Sequence, residues 1–180
     1  MLVTNGTLLP EKGAAFWEAC RDSAIEVDVT IYPGMNGIFE AARETGASFG
    51  VNVVSYNTVE DVKTSWHCPL DLTGQQVPSK SFARCNLANA CVHLRHGRLY
   101  TCCVAAYASF FIDYFRGRGV GEVSVSENDS IDIYKARSGA EVLDFLARPI
   151  PFCRFCMIEK RSSGLPWSLS RRDIGEWTIG

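Results

Sequence analysis

Six cysteines stand where their thiols could share a metal: Cys85, Cys91, Cys102 and Cys103 in one stretch, and Cys153-x-x-Cys156 further on. Thiolate is a soft ligand that suits zinc or an iron–sulfur cluster. A tight turn at CxxC spacing lets both sulfurs converge on one centre. Structural zinc sites favour two such knuckles. The upstream group, Cys85-x5-Cys91-x10-Cys102, is not a knuckle. Wide, irregular spacing with a single CxxC better suits a larger cluster wrapped by separate loops. Cys103 adjoins Cys102, so one of the two reads as a spectator. Cys102 is taken as the ligand for its offset from Gly97. Cys20, on a helix face, and Cys68 read as buried core thiols, since free cysteine often serves as a small hydrophobe. His93 and His96 flank a turn and could touch a metal, although residues so placed are more often exposed or hydrogen-bonded.

The bulk composition narrows the chemistry. The 180 residues are 47% hydrophobic and 21% charged, as in a folded domain or two small ones. A formal net charge of −2 gives no general attraction to nucleic acid. No apolar run is long enough for a membrane helix. The opening MLVTNGTLLP lacks a basic stretch before an apolar core, so a cytoplasmic chain is expected. In that reducing compartment eight cysteines favour metal over disulfides. No phosphate loop, nucleophile elbow or HExxH motif is present.

Two unlike parts must position these residues. Residues 1–65 read as α/β: a strand in LVTNG, a helix from Glu11 to about Asp22, a strand at 25–31, a helix from Asn36 to about Glu44 ended by Gly46, and a strand in FGVNVVSYN. This is the pattern of a parallel sheet. The strand at 25–31 keeps Glu26, Asp28 and Thr30 on one face. Either a partly open barrel presents that face to a ligand, with Asn5, Thr30 and Asn52 pointing there, or the strand is an edge with one wet face. Residues 66–160 are Cys-rich α+β. They hold a hairpin around His96-Gly97, an apolar helix at 104–115 whose aromatics are most simply core, and a solvated turn at SENDS. A helix capped by Ser138 then runs to Pro149 and the CxxC. Residues 161–180 read as a docking tail carrying Trp167 and Trp177.

Gly97-x4-Cys102, preceded by Cys85 and followed by a distant CxxC, resembles the auxiliary-cluster region of radical S-adenosylmethionine enzymes of the SPASM/Twitch type. VTNGTLLP at 3–10 resembles the third barrel strand and turn of the same enzymes. VDVTIYPG sits where their fourth strand would lie, with Thr30 where a serine or threonine often faces the cofactor ribose. SIDIYKARSGAEVLDFLARPIPFCRFC resembles the closing segment of one subgroup, so the likeness spans nearly the whole chain.

The resemblance implies a partial (β/α) barrel followed by a domain holding an auxiliary [4Fe–4S] cluster. It offers Cys85, Cys91, Cys102, Cys153 and Cys156 as ligands, one more than four irons need. It implies contacts from Asn5 and Thr30 to S-adenosylmethionine in the complete enzyme, and a peptide or small-molecule substrate. The family's CxxxCxxC motif and Gly-Gly-Glu stretch are absent. The expectation is therefore a C-terminal portion, completed by a separate N-terminal half and unable to start radicals alone. A zinc-stabilised binding module is the alternative.

Overall fold

Alternation of short apolar strands with helices builds the first part of the chain. The strands are β1 (Leu2–Thr4), β2 (Val27–Val29) and β3 (Val53–Val54). Between them run α1 (Ala14–Asp22) and α2 (Asn36–Ser48). The computed structural model describes residues 1–57, 64–88 and 90–178. It divides the chain into two units, Met1–Thr64 and Ser65–Gly180.

In the first unit all pairing is parallel, in the order β1-β2-β3, with Leu2 opposite Val27 and Val27 opposite Val53. The sheet is open, and no barrel closes among the described residues. Both helices contribute to one core, where Trp17, Cys20 and Ala42 meet Val27, Val29 and Val53. Cys20 is thus a core thiol, as its helix face predicts. The polar face of residues 25–31 does not mark an edge: β2 is the central strand. Asp28 lies half-buried between buried Val27 and Val29, as strand alternation requires.

Two boundaries differ from the sequence expectation. Leu9–Glu11 forms a separate 3-10 turn around Pro10, so α1 starts at Ala14 rather than Glu11. Gly46 does not end α2 but lies inside it. A Cβ there would come within 2.4 Å of Val53 and 3.3 Å of Trp17, so glycine lets the helix approach the sheet.

The second unit is built on two small sheets. β4 (Thr64–His67) pairs with β8 (Ser162–Pro166). The hairpin β5 (His93–Arg95) and β6 (Arg98–Tyr100) is extended by antiparallel β7 (Ile131–Asp132). The helices are α3 (Pro78–Ala83), α4 (Cys103–Phe115) and α5 (Gly139–Leu146), the last capped by Ser138 as expected. Phe152, Phe155, Phe111, Phe115 and Ile150 centre the core. Residues 161–178 are part of this unit: the Leu70 N–H donates to the Trp177 carbonyl at 2.7 Å, and the Trp177 ring meets Phe111. The aromatics of α4 divide. Phe111 and Phe115 are core, whereas Phe110 and Tyr114 are exposed to 62% and 42%. Helical spacing places an aromatic on a helix but does not tell which neighbour covers it.

Candidate metal centre

Three short structures deliver the thiols. The first is the hairpin. His96 and Gly97 both have positive φ, +50° and +73°, which is the two-residue turn that suits the twist of paired strands. Glycine is required there, because a Cβ on residue 97 would also come within 2.5 Å of the Tyr134 ring. The turn returns the chain so that β6 runs into α4 with Cys102 as its N-cap and Cys103 as its first residue. His96 sits exposed at the tip. Because asparagine tolerates this backbone better than histidine, His96→Asn should stabilise the unit by about 0.5 kcal/mol. Metal content should not change. Calorimetry alongside metal analysis checks both points, and lost metal would restore His96 as a ligand.

The second structure is the CxxC turn, a 3-10 segment over Pro151–Phe155. SENDS, expected to be solvated, is the clamp that holds it. Asp129 is 1% exposed. Its carboxylate accepts from the Phe152 N–H at 2.6 Å, and from the N–H and hydroxyl of Ser126 at 2.6 and 2.9 Å. Next to it, the Ser130 hydroxyl accepts from Arg98 of the hairpin at 2.6 Å. One five-residue turn, 126–130, therefore joins the hairpin to the CxxC.

The third structure is the pair of segments around Cys68 and Cys85. Met157 N–H donates to the Pro69 carbonyl at 3.0 Å, and Leu70 bridges Cys156 in antiparallel fashion. That bridge sets Cys68 against Cys156. α3 packs on the CxxC turn, with the Ser81 hydroxyl on the Cys156 carbonyl at 3.1 Å, and hands the chain to Cys85.

The thiols respond to one another. Hydrogen bonding between Cys68 and Cys156 holds the Cys68 thiol below the ordinary range, helped by the Arg161 charge, and pushes Cys156 well up. Burial pushes Cys102 up, with the charges of Cys85 and Cys91 adding to it. Burial first, then Cys102, Cys85 and Asp129, pushes Cys153 up to about 11. Cys103 reaches about 12, through burial and then its hydrogen bond with Cys91. Among the described residues no cation relieves Cys102, Cys103 or Cys153. Backbone hydrogen bonds at Val104, Ala105 and Ile150 favour the Cys102 and Cys153 thiolates but do not outweigh burial, so those thiolates still call for positive charge. A bound metal would supply it, so the donor set fits a metal or cluster.

Of the five sequence-predicted ligands, Cys85, Cys91, Cys153 and Cys156 all lie within electrostatic reach of the fifth, Cys102. Cys91 also meets a histidine. Its Sγ is 3.3 Å from His93 Nε2, and the ligand atoms of Cys91, His93 and Cys103 all lie within 4.8 Å of one another. This Cys/His group is a possible metal site. Two readings of the sequence need correction. Cys103, set aside beside Cys102 in the sequence reading, lies with Cys91 and His93 in this possible site. Cys68 is not an inert core thiol, and only the long-range bridge to Cys156 reveals its position.

In the first unit, Asn5 and Thr30 stand just past the carboxyl ends of adjacent β1 and β2, where the Thr30 N–H donates to the Thr4 carbonyl at 2.8 Å. Asn5 Oδ1 accepts from the N–H and hydroxyl of Thr7 at 3.2 and 2.9 Å, closing the TNGT turn. Asn52 does not join them. It precedes β3, at the opposite end of the sheet, and its amide donates to Glu26 at 2.5 Å.

No helix among the described residues is long and apolar enough to cross a membrane. Comparison with family models, curated proteins and solved structures finds no match to this chain.

Proposed function

We propose that Cys85, Cys102, Cys153 and Cys156 hold an auxiliary [4Fe–4S] cluster, and that the chain is the substrate-side portion of a radical S-adenosylmethionine-type enzyme acting on a peptide or other small substrate. The carrying observation is that these four cysteines come from three separate segments that the fold ties together: the CxxC turn packs on α3, which leads to Cys85, and is held by the Asp129 turn, which also binds the hairpin that leads to Cys102. Separate loops converging on a common centre suit a multi-iron cluster better than a zinc knuckle. When bound, the cluster would supply a one-electron site beside the substrate. The residues around it do the positioning: Asp129 fixes the CxxC turn, Ser81 holds the Cys156 carbonyl, and the His96-Gly97 turn aims Cys102.

Asn5 and Thr30 support the rest of the reading. Ligands bind open α/β sheets at the carboxyl ends of their strands, where both residues stand. In the complete enzyme they would contact S-adenosylmethionine. These 180 residues contain no CxxxCxxC, so on this reading a partner segment would have to provide the radical-initiating cluster.

Iron and sulfide analysis of anaerobically reconstituted protein tests the proposal. The expected result is about four irons and four sulfides per chain, with visible absorption that bleaches on reduction. Protein that takes up zinc and retains no iron after reconstitution would end the iron–sulfur reading.

A further inference from the structure

The Cys91, His93 and Cys103 group remains when the four cluster ligands are assigned, and its surroundings give it a character of its own. The three donors are two thiols and an imidazole. The other imidazole nitrogen, Nδ1, is 3.3 Å from the Tyr107 hydroxyl. The Tyr107 ring also lies edge-on to His93, with centroids 5.2 Å apart. An outer hydrogen bond that fixes the ring and tautomer of a histidine is a regular companion of metal ligation. Two sulfurs and one nitrogen suit zinc, and three protein ligands leave one tetrahedral position for a further group.

That further group has a place to sit. A cavity of about 580 Å³ runs along the outer face of α4. Its wall includes Cys103, Tyr107, Phe110, Tyr114, Trp177 and Arg172. Cys103 is a donor of the group, and Tyr107 is the residue that orients His93, so the group and the cavity share a wall. The volume is that of a small-molecule site, and the lining is mainly aromatic. The guanidinium of Arg172 has no carboxylate partner among the described residues. A half-buried metal beside an aromatic cavity selects a ligand that joins an aromatic body to a nitrogen or sulfur donor.

We infer that Cys91, His93 and Cys103 bind one zinc ion, separate from the iron–sulfur ligands, and that its fourth position opens into the α4 cavity and takes an aromatic ligand bearing a metal-binding donor atom. This site does not depend on the iron–sulfur reading. Cys91 and Cys103 serve the zinc, and Tyr107 is a positioning residue that acts through His93.

The test uses the full chain, first reconstituted with iron and sulfide and then titrated with zinc alone. Uptake of about one zinc per chain is expected. His93→Ala should abolish it while iron and sulfide stay unchanged. Tyr107→Phe, which keeps all three donors and the ring, should weaken zinc about tenfold or more. Equal zinc uptake by all three proteins would overturn the site. Loss of iron from Cys91→Ala or Cys103→Ala, with zinc retained, would also overturn it and return those thiols to the cluster. If the wild-type chain holds no iron, the same zinc difference between wild type and His93→Ala is still expected, so the two proposals fail separately. For the cavity, the zinc is replaced by cobalt and the visible spectrum is followed with imidazole and with 4-phenylimidazole. The phenyl compound should bind about tenfold more tightly or better, and Phe110→Ala should reduce that advantage. Equal affinity for the two compounds would overturn the cavity as the ligand site.

Discussion

Asp129→Ala should destabilise the second unit by about 3 kcal/mol or more, because it removes the acceptor of buried donors rather than a surface charge. The carboxylate is 1% exposed and takes the Phe152 N–H together with both donors of Ser126. Without it the Phe152 amide has neither protein acceptor nor ready access to water. Asp129→Asn is not a gentle substitute, since its NH2 would meet N–H donors. The loss should lower the melting temperature by about 10 °C or more and reduce metal retention together with stability. Thermal unfolding followed by circular dichroism, with iron and zinc measured on the same samples, decides it. A change below about 1 kcal/mol would mean that the 126–130 turn does not hold the CxxC in place.

The other large effect is chemical. On the proposed cluster assignment, Cys153→Ala or Cys156→Ala should remove most of the iron, because each takes away one of the four thiolates assigned to hold it. The region 85–158 should lose stability with it, since binding free energy at a site of this kind is also folding free energy. Cys20→Ala is the control. That thiol lies in the core of the first unit beside Trp17 and Val27, and its removal should cost about 1 kcal/mol of packing with iron unchanged. Cys68→Ala separates contact from ligation: it removes the hydrogen-bond partner of Cys156 but none of the four proposed ligands. Iron content across the four variants gives the answer. Full iron in Cys153→Ala and Cys156→Ala would exclude the CxxC from the centre.

Local order was the legible part of this chain. The His96-Gly97 hairpin, the Ser138 cap and the alternation of strand and helix up to residue 54 all depend on neighbours in sequence, and turn chemistry and periodicity report such neighbours well. What escaped depends on distant partners. Cys68 gains its meaning from the bridge between Leu70 and Cys156, and no local pattern announces it. SENDS has the composition of a wet turn, yet Asp129 is buried because Phe152 needs an acceptor. Asn52 looked like a companion of Asn5 and Thr30 because all three are polar residues near strands. In a parallel sheet the end of the strand decides the matter, and Asn52 is at the wrong end. The Cys/His group is not legible from spacing, because it joins Cys91 and His93 to a thiol ten or more residues away at the start of α4.

The thiol pairs have a consequence for how the protein must be handled. Cys68 with Cys156, and Cys91 with Cys103, are hydrogen-bonded thiol pairs in the fold. All eight cysteines are unlinked. Two sulfurs held that close are also the two from which dioxygen can draw a pair of electrons, releasing two protons and leaving a sulfur–sulfur bond. A metal-free chain kept in air would therefore sew its own centre shut. Protein that looks inert to iron and zinc after aerobic purification would report its oxidation history, and a disulfide reductant would have to precede the metal.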